Sequence, residues 1–283
     1  MNDRELKALV ALLDDEDYEI LNHVEERLIS YGNPIIPFLE QEWEKNFNPN
    51  VQRRIEDLIH TLQFDSLKER LDKWYHSDEQ DLLEGMWIIA TYQYPDLALN
   101  SIQKEIEQIY YDTWLEFKTD VHPYDQVRIL NSVLFNKLKF RANTKNFHSP
   151  ANSMINRVLE TKKGNPISLC VVYMLVAQRL KLPVYGVNLP SLFIYTYKHD
   201  DIQFYIKAFS RVLFFAKQDI DNYIKQLKLP SDDMFYQPCQ TIDIIRRVLR
   251  SLILSFEKLD EFEKADEVKQ LLEIVSKDDL GLL

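Results

Sequence analysis

Residues 166–180 read Pro-Ile-Ser-Leu-Cys-Val-Val-Tyr-Met-Leu-Val-Ala-Gln-Arg-Leu, and apolar side chains fall on every side of the helix they would form. A helix without a polar face belongs in the middle of a core, covered all round. The apolar run from Ile167 to Ala177 is too short to span a bilayer and contains Ser168, so a membrane segment is not its explanation. The fold must therefore be built around this segment. Its start is well marked, because Asn165 can cap it and Pro166 suits its first turn. Just ahead, Lys162-Lys163-Gly164 reads as the end of a short helix over Asn152–Glu160, with Gly164 as its left-handed cap.

Behind Leu182-Pro183 the period changes. Val184–Leu189, Leu192–Tyr197 and Gln203–Phe209 are rich in β-branched and aromatic residues, and Lys198-His199-Asp200-Asp201 reads as a hairpin turn. A small antiparallel sheet is expected to follow the buried helix. Two amphipathic helices, Ile242–Phe256 and Glu263–Val275, end the chain. The segment Phe256–Ala265 between them resembles the turn of a tetratricopeptide helix pair. A single pair cannot make a solenoid, so it is expected to dock on the core. Ahead of the buried helix, Val127–Leu138 reads as a helix and Lys139–Pro150 as a polar loop.

Residues 1–120 read as helix after helix. Leu6, Leu9, Val10 and Leu13 keep helical spacing, and Asp14–Asp17 supplies a cap for the next start. Ile20, Val24, Leu28 and Tyr31 are followed 31 residues later by Val51, Ile55, Ile59 and Leu62, an internal repeat of HEAT-like layout. Leu82–Ala90 and Leu97–Trp114 read as further helices. The tyrosines and tryptophans, falling within these elements, read as core. The fold class is α+β and mainly helical.

Composition removes several chemistries. The five glycines stand alone, so no dinucleotide loop or P-loop can be assembled. Two cysteines make neither a disulfide framework nor a cysteine zinc site, and the six histidines never pair at i, i+4. Asp14–Asp17 lacks the glycine and distal glutamate of a calcium loop. No motif asks for a cofactor or a metal. Charge is uneven: residues 1–127 carry a net −17, residues 128–181 a net +9 and residues 182–283 a net −3. The first expectation is that the basic middle and the acidic helices satisfy each other; the alternative is a basic face for an acidic partner. Overall acidity and scattered basic residues disfavour nucleic acid. The acidic N-terminal stretch is no secretory signal, and a cytoplasmic setting with reduced thiols is expected.

Three stretches carry a family resemblance over roughly residues 125–277: Phe140-Arg141-Ala142-Asn143 with Ser149–Ser153 and Val158-Leu159-Glu160; Lys163–Leu169 with the helix behind it and Leu180–Pro183; and Asn188–Phe193 with the hairpin and Tyr205–Phe209. Together they resemble the SirB family of transglutaminase-like proteins. The resemblance implies a papain-like core, and in catalytic members a cysteine at the start of the central helix, a histidine on the next strands and an aspartate one strand later. Carried onto this chain, the cysteine position falls at Pro166, seventeen residues before Pro183, the histidine position at Leu192 and the aspartate position at Lys207. All three functional groups are missing from those positions. Asn143 and Asn152, also matched, read as turn and cap residues shaping the groove-side loop.

Cys170 and Cys239 are the alternative nucleophiles. Cys170 lies one turn inside the apolar helix, where burial raises a thiol pKa. Cys239 follows Gln237-Pro238 at a helix start, isolated in sequence. The expected organisation is a HEAT-like region over 1–122, a transglutaminase-like core over 123–235 and a tetratricopeptide-like pair over 236–283. The expected function is a non-catalytic scaffold binding a protein or peptide. The alternative is a cysteine-dependent amidase, protease or transglutaminase working through Cys170 or Cys239.

Overall fold

Helical spacing at the start of the chain closes a small core of its own. In the computed structural model, which describes residues 3–118, 121–190, 192–200, 202–207, 213–230 and 232–276, the chain divides into two compact units, 1–70 and 71–283. In the first, α1 (Asp3–Ala11), α2 (Tyr18–Ile29), α3 (Ile36–Lys45) and the start of α4 (Pro49–Tyr75) bury Leu6, Leu28, Leu39 and Ile55 in one cluster. Asp17 caps α2 as expected, its Oδ1 accepting the Glu19 N–H at 2.9 Å. Of the eight repeat positions, Val24, Leu28, Val51, Ile55 and Leu62 are buried, whereas Ile20 is exposed.

The second unit contains α5 (Leu82–Ala90), α6 (Leu99–Trp114), α7 (Pro123–Asn131) and β1 (Arg141–Ala142). Next come α8 (Ile155–Thr161), β2 (Lys163–Gly164) and the apolar helix α9 (Pro166–Arg179). Then follow β3 (Val184–Leu189), β4 (Leu192–His199), β5 (Ile202–Lys207) and β6 (Leu213–Phe215), and finally α10 (Lys217–Gln226), α11 (Thr241–Glu257) and α12 (Phe262–Ile274). The strands β3–β6 form one antiparallel sheet in sequence order. The fold is thus α+β and mainly helical. Within this unit α5 packs with α6, α8, α9 and α11, and α6 packs with α8 and α9.

α9 is covered on all sides, as its composition demands. It meets α5, α6, α8 and α11 and one face of the sheet through β3 and β4. Residues Ile167–Ala177 are all buried. The other sheet face packs Val187, Ile194 and Tyr205 against Ile220 and Ile224 of α10. α12 pairs with α11, and α11 lies on α9, so the terminal helix pair docks on the core. The expected exchange between acidic and basic segments is partly local: Glu107 in α6 and Glu116 just beyond its end form ion pairs with Arg179 and Lys137.

Several local expectations are corrected. Gly164 is not the left-handed cap of α8. Lys162 takes that conformation, with φ 56°, and its ammonium lies 5.0 Å from the Phe140 ring centre. Gly164 instead sits in β2 opposite Ala142, where a Cβ would stand 2.5 Å from Ser168 Oγ. The helix after residue 126 begins at Pro123 and passes into a π-helical segment over Ser132–Lys137. Residues 198 and 199 continue β4 rather than turning, and β6 and α10 were not foreseen. The aromatic residues are not uniformly core, since Tyr18, Trp43, Tyr111 and Trp114 are exposed. Ser191, Asp201, Ala208, Phe209 and Gly281, part of the sequence reading, lie outside the described residues. No helix among the described residues is long and apolar enough to cross a membrane.

Tyr173 at the centre of α9 offers a stability test. Its ring stacks on Tyr195 at 4.5 Å, and its hydroxyl is buried without a hydrogen-bond partner among the described residues. Removing an unpaired buried hydroxyl recovers its desolvation cost, so Tyr173→Phe should raise stability by about 1 kcal/mol. Urea unfolding followed by circular dichroism reads this as a higher midpoint. A lower midpoint would show that the hydroxyl has a buried partner.

Candidate functional site

The N-terminal end of α9 is assembled by three asparagines. Asn165 Oδ1 accepts the Ser168 N–H at 2.9 Å, while its Nδ2 donates to Ser153 Oγ at 2.8 Å and Ser251 Oγ at 3.0 Å. Asn152 is buried, and its backbone carbonyl accepts the Ser168 hydroxyl at 2.6 Å and the Asn165 N–H at 3.2 Å. Its side chain holds the preceding loop: Nδ2 donates to the Asn146 and Phe147 carbonyls at 2.7 and 3.0 Å, and Oδ1 accepts from Asn143 Nδ2 at 2.8 Å. The parallel pairing of β1 with β2 ties the start of that loop to the residues just ahead of α9. Helix start, loop and strand pair are thereby one hydrogen-bonded block.

The sheet brings its own elements to the same place. In the β3–β4 pairing Leu189 faces Leu192, and in the β4–β5 pairing Ile206 faces Tyr195. The end of β3, the start of β4 and the end of β5 therefore share one edge of the sheet. A cleft of about 760 Å³ opens where this edge meets the start of α9. Pro166, Leu192 and Lys207 all line it. Three positions spread over 42 residues of sequence thus converge on one cavity. Asn143 and Asn152 stand behind the wall, holding the loop that presents Phe147 and His148 to the cleft.

Pro166, Leu192 and Lys207 bring no thiol, imidazole or carboxylate to the cleft. Among the described residues its lining holds no cysteine and no carboxylate, and His148, the one histidine among them, is exposed on the loop. Cys170 is fully buried one turn below the cleft floor, and burial pushes its thiol up to about 12. Cys239 is partly buried. Burial and the nearby Asp243 carboxylate push its thiol up to about 12 as well, and its N–H donates to the Gly186 carbonyl at 2.8 Å. His199, at the end of β4, pairs with Asp200 at 3.0 Å. No group of three His, Cys, Asp or Glu side chains among the described residues is placed to hold a metal.

The far wall was not anticipated. Arg247, Arg250, Ser251, Leu254 and Ser255 of α11 line the cleft, spaced along one face of that helix. Arg247 Nη1 donates to Asn188 Oδ1 and, at 2.9 Å, to the Leu189 carbonyl, and its guanidinium lies over the Phe193 ring at 5.7 Å. Burial holds the Arg247 pKa below its ordinary value. The sequence signal was available, since this face breaks the apolar period of α11. Nothing in the sequence said what it faces.

Comparison with known proteins supplies the last observation. The family model described as the transglutaminase-like superfamily matches residues 100–250. A UPF0162 protein of Xylella fastidiosa (strain Temecula1) is 33% identical over 121 residues, 42% of this chain and 43% of that protein. The human F-box only protein 21 is 30% identical over 139 residues, 41% of this chain and 22% of its own length. The UPF0162 protein YchA of Escherichia coli (strain K12) is 21% identical over 201 residues, 70% of this chain and 75% of that protein. The chain thus spans under half the length of the Xylella relative it matches. No solved structure matches it.

Proposed function

We propose that this chain, which belongs to the transglutaminase-like superfamily, is a non-catalytic member whose cleft holds a peptide segment without cutting or cross-linking it. The observation that carries this reading is the lining of one cleft by Pro166, Leu192 and Lys207. An imino ring, an aliphatic side chain and an ammonium group cannot supply the nucleophile, base and orienting acid that acyl transfer requires. The cleft keeps shape and loses proton transfer. On the same reading the chain is of the SirB type, its first helices form a HEAT-like pair of repeats, and α11–α12 act as a tetratricopeptide-like buttress for the cleft wall. Its partner is a protein met in the cytoplasm.

Thiol chemistry tests the reading directly. With pKa values near 12, both thiols are almost wholly protonated in neutral buffer. At about pH 7.5 the thiolate share is then on the order of one in ten thousand or less. The native chain treated with iodoacetamide, then digested and weighed, should show Cys170 unmodified over a period that fully labels a free thiol. Incorporation of a fluorescent amine into a glutamine-bearing peptide, and hydrolysis of that peptide, should stay at the buffer level. Turnover abolished by Cys170→Ala or Cys239→Ala would establish the cysteine enzyme instead.

A further inference from the structure

Among the described residues three cations stand on the cleft wall, Lys207, Arg247 and Arg250, and no aspartate or glutamate lines it. In a chain of net charge −11 this is a local inversion of sign.

Arg247 carries most of the argument. It is half-buried, yet its partners among the described residues are all neutral: Asn188 Oδ1, the Leu189 carbonyl and the face of Phe193. Both hydrogen bonds leave from Nη1, so Nε and Nη2 have no hydrogen-bond partner among the described residues. A charge withdrawn from water is ordinarily paired, and a guanidinium fork is shaped for a carboxylate. Arg250, close to one turn further along α11, is exposed and forms no ion pair among the described residues. Its charge adds to that of Arg247 and lowers the Arg247 pKa further. The start of α9, which also opens on the cleft, contributes the positive end of a helix dipole.

The rest of the wall is apolar. Leu192, Phe193 and Phe235 line the interior, while Phe147, Met234 and Leu254 are exposed at the rim. Exposed apolar surface around a cleft is the mark of a site that something covers. A small inorganic anion would meet the cations and leave that rim in water.

We propose that the ligand of this cleft is an acidic peptide segment presented by another protein, its carboxylates alternating with apolar side chains and one carboxylate meeting Arg247. This rests on the reading of the cleft as a non-reacting peptide site and adds the chemical class of the peptide.

Fluorescence polarisation with the full chain tests it. The probes are labelled hexapeptides alternating leucine with aspartate, asparagine or lysine, and one alternating glycine with aspartate. The aspartate–leucine peptide should bind, with affinity falling as salt is raised, and the asparagine form should bind about tenfold more weakly or worse. Arg250→Glu, at an exposed position, should weaken the acidic peptide by about tenfold while leaving the urea midpoint in place, and Arg250→Lys should largely retain binding. Equal binding of the asparagine peptide would overturn the acidic class and leave the peptide site standing. Equal binding of the glycine–aspartate peptide, with displacement by inorganic phosphate, would reduce the cleft to a simple anion site and overturn the proposal. Failure of every peptide to bind would overturn it together with the peptide reading. Amine transfer or hydrolysis would overturn the non-catalytic reading alone.

Discussion

Gly186→Ala should lower stability by about 3 kcal/mol, at the upper end of what overpacking a core costs. Gly186 lies in β3 opposite Tyr195, and a Cβ there would stand 2.4 Å from Phe193 Cζ and 3.2 Å from Cys239 Sγ. Neither neighbour can retreat easily. Phe193 is buried in the adjacent strand and lies under the Arg247 guanidinium, and the Gly186 carbonyl is held by the Cys239 N–H at 2.8 Å. Shortening the ring should relieve the clash, so Gly186→Ala with Phe193→Leu is expected to be more stable than the sum of the two single losses. Urea midpoints of the four proteins close a double-mutant cycle, with a coupling of about 1 kcal/mol or more in the rescuing direction. Strictly additive losses would place the strain elsewhere.

That clash is the kind of fact the sequence does not carry. Helix α9 was legible because its signal is local and extreme: apolar residues on every side admit a single environment. β3 was legible to the residue, since Leu182-Pro183 stops the helix and the β-branched run starts at Val184. Gly164 and Gly186, both at close approaches, look the same in sequence as cap or turn glycines. Lys162-Lys163 ahead of Gly164 makes it look like a cap, whereas its neighbour is Ser168 Oγ, a turn into the next helix. β6 and α10 lie where alternation is weak, and tertiary pairing with β5 and packing under the sheet decide their state.

The candidate site divides in the same way. Pro166, Leu192 and Lys207 were located because a family pattern supplies their mutual distance, which spacing alone could not. Arg247 and Arg250 reach the cleft from about forty to eighty-five residues further along the chain. An arginine pair on an amphipathic helix reads as a solvated face. Docking of α11 on α9 turns that face into a wall. The legible part of the site is therefore the set of positions that the resemblance supplies, and the part that required packing is its charge.

Asn152→Ala should cost about 2 kcal/mol or more, because the substitution removes three side-chain hydrogen bonds from a buried position. The loss is directional. The backbone carbonyl of residue 152 still accepts from Ser168 Oγ and Asn165 N, so the start of α9 keeps its support. The loop ahead of it does not, since the Phe147 carbonyl loses its Nδ2 donor and Asn143 loses its acceptor. Hydrogen exchange should therefore quicken at residues 143–149 while α9 stays protected, and any ligand of the cleft should bind more weakly through the displaced Phe147 and His148. Asn152→Asp separates donor from acceptor. It keeps an oxygen for Asn143 but turns a carboxylate oxygen toward two carbonyls that need a donor, so it should be at least as destabilising as alanine near neutral pH and less so in acid, where a protonated carboxyl can donate. An aspartate variant as stable as the parent would mean that the amide does not hold the loop, and the link from this buried block to the shape of the cleft would fail with it.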